Sequence, residues 1–287
     1  MSRDLTRPDG GTEVLRVDPE SAGWQSLGYS VFSLKGGEEM RIDQPGRELA
    51  LVTISGAGEA RVAGQRLQLE RRGVFEELAP LLYVPPGSPL DLVVAEGRDW
   101  IFAVGSAPAE GRYPLRLIDP AEVNVEIRGG GAAVRQVSHV LAPPLPAERL
   151  IVYEVVVPGG SWAGWPPHCH DGEHGSPYLE ETYYFRFDRP GGFGFHRNYV
   201  GDGSFDEAFT IRDGECVAVP RGFHVTTAAP GYNMWILNFL AGDLVEGERA
   251  TPPYFDPATT WITEDWSSGQ VDLPTAVPAS EGLGVGQ

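Results

Sequence analysis

Short runs of alternating apolar and polar residues, separated by glycine and proline turns, recur along most of this chain. In the first half, "ELALVTISGAGEARVAGQRLQL" (residues 48–69) alternates around a glycine turn, and "LLYVPPGSPLDLVVAEG" follows it. In the second half, "LIVYEVVVPGG" (residues 150–160) begins a similar series. Alternation with a period of two, with turns about every ten residues, is typical of a sandwich or barrel of β-strands. No segment has a sustained helical period, so the pattern predicts an all-β fold.

The turns suggest that the chain contains two related barrels in tandem. "RDG" (212–214) and "PRG" (220–222) in the second half resemble "PPG" (85–87) in the first. The boundary is expected near residues 105–114 or in the proline-rich stretch 142–148. We divide the chain into a first barrel (1–110), a second barrel (111–266) and a flexible tail (267–287), which has few large apolar residues. The first barrel has no histidine, so only the second can carry a histidine-based metal site.

Composition narrows the functional classes. The 287 residues carry a net charge of −18, which argues against a nucleic-acid-binding protein. No apolar run approaches the roughly 20 residues that span a bilayer, and the first residues do not resemble a signal peptide. Two cysteines are too few for a disulfide framework, so we expect a cytoplasmic protein. An anionic substrate would need an arginine or lysine of its own in so acidic a protein.

Candidate metal ligands are concentrated in the second half. The stretch "PPHCHDGEHG" (166–175) holds three of the six histidines in the chain. On an extended strand His168 and His170 project to the same face, with Cys169 turned away. The next strand, "YLEETYYFRF", brings Glu180 or Glu181 inward, and a later strand brings His224. Imidazole and carboxylate groups from three strands would enclose one divalent cation, either Zn, Mn, Fe or Ni.

The other histidines fit this arrangement less well. His139 lies outside it, and a structural role is expected. His174 lies in a loop rich in glycine and serine, where it is either exposed to solvent or part of a lid. His196 lies on the strand "GFGFHRNYV", and the alternation leaves open whether it faces a pocket or the exterior.

These motifs resemble those of the cupins. Gly214, Pro220, Gly222 and His224 match the second cupin motif, with one residue fewer than usual before the histidine. The first motif departs from the cupin pattern, because the ten residues between His170 and Glu181 are more than a typical cupin has. The alignment with the motif implies that Glu181, rather than Glu180, is the ligand.

The longer spacing and its neighbouring segments resemble one family in particular, the 5-deoxy-glucuronate isomerases of myo-inositol catabolism. The similar segments are "RGGGAAVRQV", "PPHCHD", "YLEETYYFR", "GFGFHRNY", "DEAFTIRDGECVAVPRGFH", "GYNMWILNFLAG" and "DPATTWITEDW". This family is related to the ketol-isomerase that acts on a 5-keto-4-deoxyuronate. The resemblance implies a bicupin with two jelly-roll barrels, the first of them degenerate, in agreement with the missing histidines.

The resemblance also implies a reaction. An aldose–ketose isomerisation would convert 5-deoxy-D-glucuronate to 5-dehydro-2-deoxy-D-gluconate. The divalent metal would act as a Lewis acid and stabilise the enediolate. A base must move a proton between adjacent carbons. Glu180 is turned away by strand alternation, and no residue is assigned as this base.

Candidate substrate-binding residues follow from strand parity and from the charge of the substrate. Tyr183 and Phe185 share the face of Glu181, where they would line either the pocket or the barrel core. Arginine suits a carboxylate because it can bind both oxygens. Arg135, Arg197 and Arg221 are the candidates, whereas Arg186 has the wrong parity relative to Glu181.

Two other functions remain open at this point. A cupin dioxygenase would use Fe(II) with the same ligand set and would consume oxygen. A non-catalytic sugar-binding bicupin would tend to lose ligands, and the presence of all four argues against it. The expected partner is a small sugar acid, without nucleic acid or membrane, and assembly into a homo-oligomer is compatible with the fold.

Overall fold

The structure is a computed structural model that describes residues 5–219 and 221–267. Except for Ser267, the tail expected from residue 267 therefore lies outside the described residues. The strands of the described part, in chain order, are β1 (Leu5–Thr6), β2 (Glu13–Val17), β3 (Gly28–Leu34), β4 (Glu39–Ile42), β5 (Arg47–Val62), β6 (Gln65–Arg71), β7 (Leu81–Val84), β8 (Leu90–Val93), β9 (Trp100–Pro108), β10 (Arg116–Ile118), β11 (Asn124–Arg128), β12 (Arg135–Leu141), β13 (Ile151–Val157), β14 (Trp162–Cys169), β15 (Leu179–Phe187), β16 (Phe193–Tyr199), β17 (Asp206–Arg212), β18 (Cys216–Val219), β19 (Phe223–Ala228), β20 (Met234–Gly242) and β21 (Tyr254–Phe255).

Helical structure is confined to short pieces among these residues. They are the α-helix α1 (Pro19–Ala22) and the 3₁₀ turns Pro120–Glu122, Gly131–Ala133, Glu173–Gly175, Glu246–Ala250 and Thr260–Thr263. The predicted all-β class is confirmed. No helix in the described ranges is long and apolar enough to cross a membrane.

The strands form three sheets. A nine-stranded sheet contains β2 to β10. A seven-stranded sheet has the order β1-β18-β15-β20-β13-β12-β11, and a five-stranded sheet has the order β17-β16-β19-β14-β21. Two pairings cross the expected boundary at residue 110, because β10 pairs with β7 and β1 pairs with β18. The exact division into two barrels stays a prediction.

Each half encloses its own apolar core. In the first half Trp100 and Phe102 fill the centre, with their ring centroids 4.3 Å apart. In the second half the seven-stranded and five-stranded sheets enclose a cluster that includes Phe185 and Ile236. A third cluster joins the halves, where the ring of Phe239 lies over Gly105. A Cβ at Gly105 would lie 2.0 Å from that ring, so glycine permits the close contact of the two sheets.

Buried carboxylates also join the halves. Glu48 on β5 accepts backbone hydrogen bonds from residues 148–150, at 2.7 to 2.8 Å. Glu180 on β15 accepts backbone hydrogen bonds from residues 25–27, at 2.6 to 2.9 Å. In each half, a charged carboxylate therefore accepts hydrogen bonds from irregular backbone N–H groups of the other half. Hydrogen bonds to a charged acceptor are among the stronger kinds.

Candidate active site

Strand pairing brings the predicted histidines to one point. His168 on β14 is the direct register partner of His224 on β19, and His170 follows immediately after β14. The three residues offer ring nitrogens that all lie within 4.8 Å of one another. Cys169 lies on the other side of the strand, where it packs with Tyr199 and Phe223.

Glu181 completes this group from the neighbouring sheet. Its Oε2 atom lies 2.8 Å from Nε2 of His170 and 3.2 Å from Nε2 of His224. Its Oε1 atom accepts a hydrogen bond of 3.0 Å from Nδ2 of Asn238. Glu180, one residue earlier, points to the opposite face of β15. One strand thus directs adjacent carboxylates into the cavity and into the contact between the halves.

The electrostatics of the group reflect its burial. Burial lowers the pKa of His168 well below the usual value, and the rings of His224 and His170 add to this effect. Burial also disfavours the charged form of His170, but its hydrogen bond with Glu181 outweighs that effect and raises the pKa. For Glu181, burial alone would raise the pKa, yet hydrogen bonds with His170 and His224 hold it well below the usual range.

The donor set fits a divalent cation. Nδ1 of His170 lies 2.8 Å from the carbonyl oxygen of Leu179, which can accept the Nδ1 proton and leave the lone pair of Nε2 available to a cation. Nδ1 of His168 and Nδ1 of His224 are buried without a hydrogen-bond partner among the described residues. Buried polar atoms are rarely left unsatisfied, so unpartnered nitrogens beside a carboxylate are consistent with ligands of a cation.

The sheet beside this group forms the floor of a cavity that is open to solvent. Tyr153, Asn238 and Tyr183 are successive register partners across β13, β20 and β15, so their side chains form a row. All three line the cavity, as do His168 and His170. The row therefore extends from the histidine group toward the β12 side of the sheet.

Two arginines lie on that far side. Arg128 on β11 and Arg135 on β12 are direct register partners, and both line the cavity. Arg128 donates a 2.7 Å hydrogen bond from Nε to Oε1 of Glu126. Arg135 donates to the carbonyl oxygen of Ala133 and forms no ion pair with the residues that the structure describes. Burial lowers the pKa of Arg135 to about 10, and Arg128 contributes to this shift. An uncompensated cation beside a second cation suits an anionic ligand.

The structure does not bring all the predicted residues to this cavity. Phe185 is fully buried in the core of the second barrel. Arg197 lies on the outer surface, where its guanidinium donates two hydrogen bonds to Asp206 at 2.7 and 2.8 Å. Arg221 is exposed and lies over the ring of Phe205. Arg135 and Tyr183 are the two predicted substrate-binding residues that line the cavity.

The remaining histidines have distinct surroundings. His139 lies 2.7 Å from Oε1 of Glu126, outside the histidine group. His174 is exposed, with its ring stacked 5.0 Å from that of Tyr254. His196 is fully buried, and burial together with His224 lowers its pKa to about 3.

The cavity residues that are absent from the sequence-based set include Arg128, Tyr153 and Asn238. Arg128 begins the segment "RGGGAAVRQV", whose resemblance to the family could have indicated Arg128 as a binding residue. Tyr153 and Asn238 lie in ordinary strand sequences. Only the register with β15 shows that they share the face of Glu181.

Comparison with known proteins agrees with the geometry. Residues 2–262 match the model of the KduI/IolB family. The chain belongs to this family. A curated family relative from Geobacillus thermodenitrificans, named 5-deoxy-glucuronate isomerase, is 38% identical over 263 residues, which cover 90% of this chain and 93% of the relative. The enzyme of the same name from Bacillus subtilis strain 168 is 31% identical and covers 82% of this chain and 87% of the relative.

Solved structures agree on the fold of this family member. An IolB-like protein from Salmonella typhimurium LT2 superposes with a TM-score of 0.85 at 34% identity, covering 90% of this chain and 98% of that one. A mutant of oxalate decarboxylase from Bacillus subtilis superposes with a TM-score of 0.57 at 12% identity, covering 80% and 73% of the two chains. The second likeness concerns the fold alone.

Proposed function

We propose that this protein is a 5-deoxy-glucuronate isomerase, which converts 5-deoxy-D-glucuronate to 5-dehydro-2-deoxy-D-gluconate. One observation carries the proposal: His168, His170 and Glu181, which group with His224, line the same cavity as Arg135, a cation with no ion pair among the described residues. A sugar acid has a carbonyl group near one end and a carboxylate at the other, so it presents the complementary groups. The curated relatives of the same name support this choice of substrate.

At one end of the cavity, His168, His170, Glu181 and His224 would hold one divalent cation, chosen from Zn, Mn, Fe and Ni. When bound there, such a cation supplies Lewis acidity toward a carbonyl and a neighbouring hydroxyl group. The protein holds this end in shape, since Asn238 donates to Glu181 and Leu179 accepts from His170.

At the other end, Arg135 would bind the substrate carboxylate, with Arg128 as the second cation. Glu126 already pairs with Arg128, whereas the guanidinium of Arg135 has no carboxylate partner among the described residues. Tyr153 and Tyr183 lie between the two ends and would donate hydrogen bonds to the hydroxyl groups of the substrate. Holding both ends of the substrate fixes the reacting carbons, which is itself a large part of catalysis.

The test is an NMR assay of 5-deoxy-D-glucuronate conversion by the purified protein before and after treatment with a chelator. We expect conversion to the ketose, loss of activity after chelation, and recovery when one of the four divalent metals is added back. Conversion that persists in protein verified to be free of metal would contradict the metal-dependent isomerase.

A further inference from the structure

The end of the cavity proposed for the substrate carboxylate holds an acidic residue beside its two arginines. Glu126 on β11 lies on the same face of the sheet as Arg128, and its register partner Val137 lines the cavity. The Oε1 atom of Glu126 accepts a hydrogen bond of 2.7 Å from Nε of Arg128 and lies 2.7 Å from Nε2 of His139. A negative charge is therefore built into the site where an anion is expected to bind.

His139 holds this acid in place. An ionised carboxylate only accepts hydrogen bonds, so Nε2 of His139 carries the hydrogen that Glu126 accepts. This hydrogen bond lowers the pKa of Glu126, and Arg128 adds to the effect, so the carboxylate is ionised at neutral pH. The ring of His139 stands edge-on to the ring of Tyr153, with centroids 5.1 Å apart. A residue of the cavity floor thus supports the orientation of the acid.

The charge of Glu126 acts on the groups that line the cavity. Burial and Arg128 lower the pKa of Arg135, whereas Glu126 opposes that shift. Burial raises the pKa of Tyr153, Arg128 opposes this, and Glu126 adds to the increase. With His139 neutral, the two arginines and the one carboxylate leave a single net positive charge. That charge matches a carboxylate, which carries one negative charge, and not a phosphate monoester, which carries nearly two.

We propose that Glu126 is a specificity-determining residue, which restricts this end of the cavity to a singly charged carboxylate and disfavours the doubly charged phosphate of a sugar phosphate. The inference rests on the proposed function and names a class of substrate that the site rejects. Without Glu126, two neighbouring arginines would face the ligand, and arginine binds phosphate as well as carboxylate. A repulsive group directed against the wrong ligand is a common source of specificity.

Two acyclic six-carbon ligands test this end of the cavity, and neither of them can be isomerised. D-Gluconate carries a carboxylate, whereas D-glucitol 6-phosphate carries a phosphate that is mostly dianionic at about pH 8. Isothermal titration calorimetry gives the dissociation constants of both ligands for the wild-type protein, Glu126→Gln and Glu126→Asp. The readout is the ratio of the two constants, which we expect to favour gluconate in the wild-type protein.

Glu126→Gln removes the charge and keeps an acceptor for Arg128. We expect it to shift the ratio toward the phosphate by about fivefold or more, because a unit charge at close range has about this effect even in water. Glu126→Asp keeps the charge, so its ratio should stay within about threefold of wild type. Glu77→Gln is the matched control, since it removes the same charge from an acid that bonds to Arg72 in the first half of the chain. Its ratio should not change.

The outcomes separate this role from its alternatives. An equal loss of affinity for both ligands in Glu126→Gln would overturn it, and would make Glu126 a positioning residue for Arg128. The same shift of the ratio in Glu77→Gln would also overturn it, because overall charge would then be the cause. Wild-type protein that binds neither ligand would overturn the anion site itself. The expected ratios in a protein that does not convert 5-deoxy-D-glucuronate would support the role of Glu126 and contradict the proposed function alone.

Discussion

At the scale of single residues, Arg135 combines properties that rarely occur together in a structural side chain. It is partly buried, its direct cross-strand neighbour is another arginine, and no carboxylate of the described residues pairs with it. Like charges opposite each other on neighbouring strands are destabilising. The residue therefore costs folding stability in the absence of an anion, which is a pattern expected of a binding site.

This cost leads to a prediction for Arg135→Met, which keeps the aliphatic stem and removes the charge. We expect the free energy of unfolding to rise by about 0.5–2 kcal/mol. We expect kcat/KM for 5-deoxy-D-glucuronate to fall at least about 30-fold, from the loss of about 2 kcal/mol or more for a buried charged contact. Denaturant unfolding and the NMR assay measure the two effects.

Arg197→Met is the control, because its exposed pair with Asp206 should contribute no more than about 0.5 kcal/mol. A destabilised Arg135→Met protein with unchanged kcat/KM would make Arg135 a structural residue.

The choice among the arginines also marks the limit of prediction from sequence. Arg135, Arg197 and Arg221 are equivalent candidates from the sequence, since Arg197 and Arg221 lie within barrel segments and Arg135 lies in a segment that resembles the family. Only the pairing of Arg197 with Asp206 and the position of Arg135 opposite Arg128 distinguish them. By contrast, the face shared by His168 and His170 follows from strand alternation alone, because that period is a local property of the backbone.

At the scale of the elements, β15 has two faces with different tasks. Glu181, Tyr183 and Phe185 face the cavity and the core of the second barrel, whereas Glu180 and Tyr184 face the first half of the chain. Adjacent carboxylates on this strand therefore provide a matched pair of substitutions. The alternation predicted these two directions, but not the partners of Glu180, because residues 25–27 are more than 150 positions away in the chain.

We expect Glu181→Gln and Glu180→Gln to affect different properties of the protein. Glu181→Gln should weaken divalent metal binding by more than about 100-fold, which exceeds the loss typical of groups that only orient a ligand. Glu180→Gln should lower the free energy of unfolding by about 1.5–3 kcal/mol, through weaker hydrogen bonds to the backbone of residues 25–27, and should leave metal affinity unchanged. Metal titration and denaturant unfolding of both variants check the pair. The same effect from both substitutions would contradict the division of faces.

At the scale of the whole molecule, a buried ion pair links the first half to the second. Arg71 at the end of β6 donates two hydrogen bonds to Glu154 on β13, at 2.7 and 2.8 Å, and both side chains are almost fully buried. Trp235 donates to the same carboxylate at 3.0 Å. Breaking such a pair leaves one charge buried and uncompensated, so each partner depends strongly on the other.

The pair should therefore show strong energetic coupling. Arg71→Met or Glu154→Gln alone should lower the free energy of unfolding by about 3–5 kcal/mol. The double variant should recover most of that loss, because neither charge remains and the glutamine can still accept from Trp235. Denaturant unfolding of the four proteins gives the coupling energy. Additive losses in the double variant would show that the two side chains act independently.

The carboxylates of Glu48 and Glu180, each bonded to the other half of the chain, affect how readily nearby backbone amides open to solvent. The backbone amides at 25–27 and 148–150 lie in irregular segments, which would ordinarily exchange their hydrogens with solvent through small local openings. Here each set of amides is bonded to a buried carboxylate from the other half of the chain. Exposing them requires the halves to separate, so their protection approaches that of the global unfolding transition. The first half of the chain thereby shares its cooperativity with the half that carries the histidines.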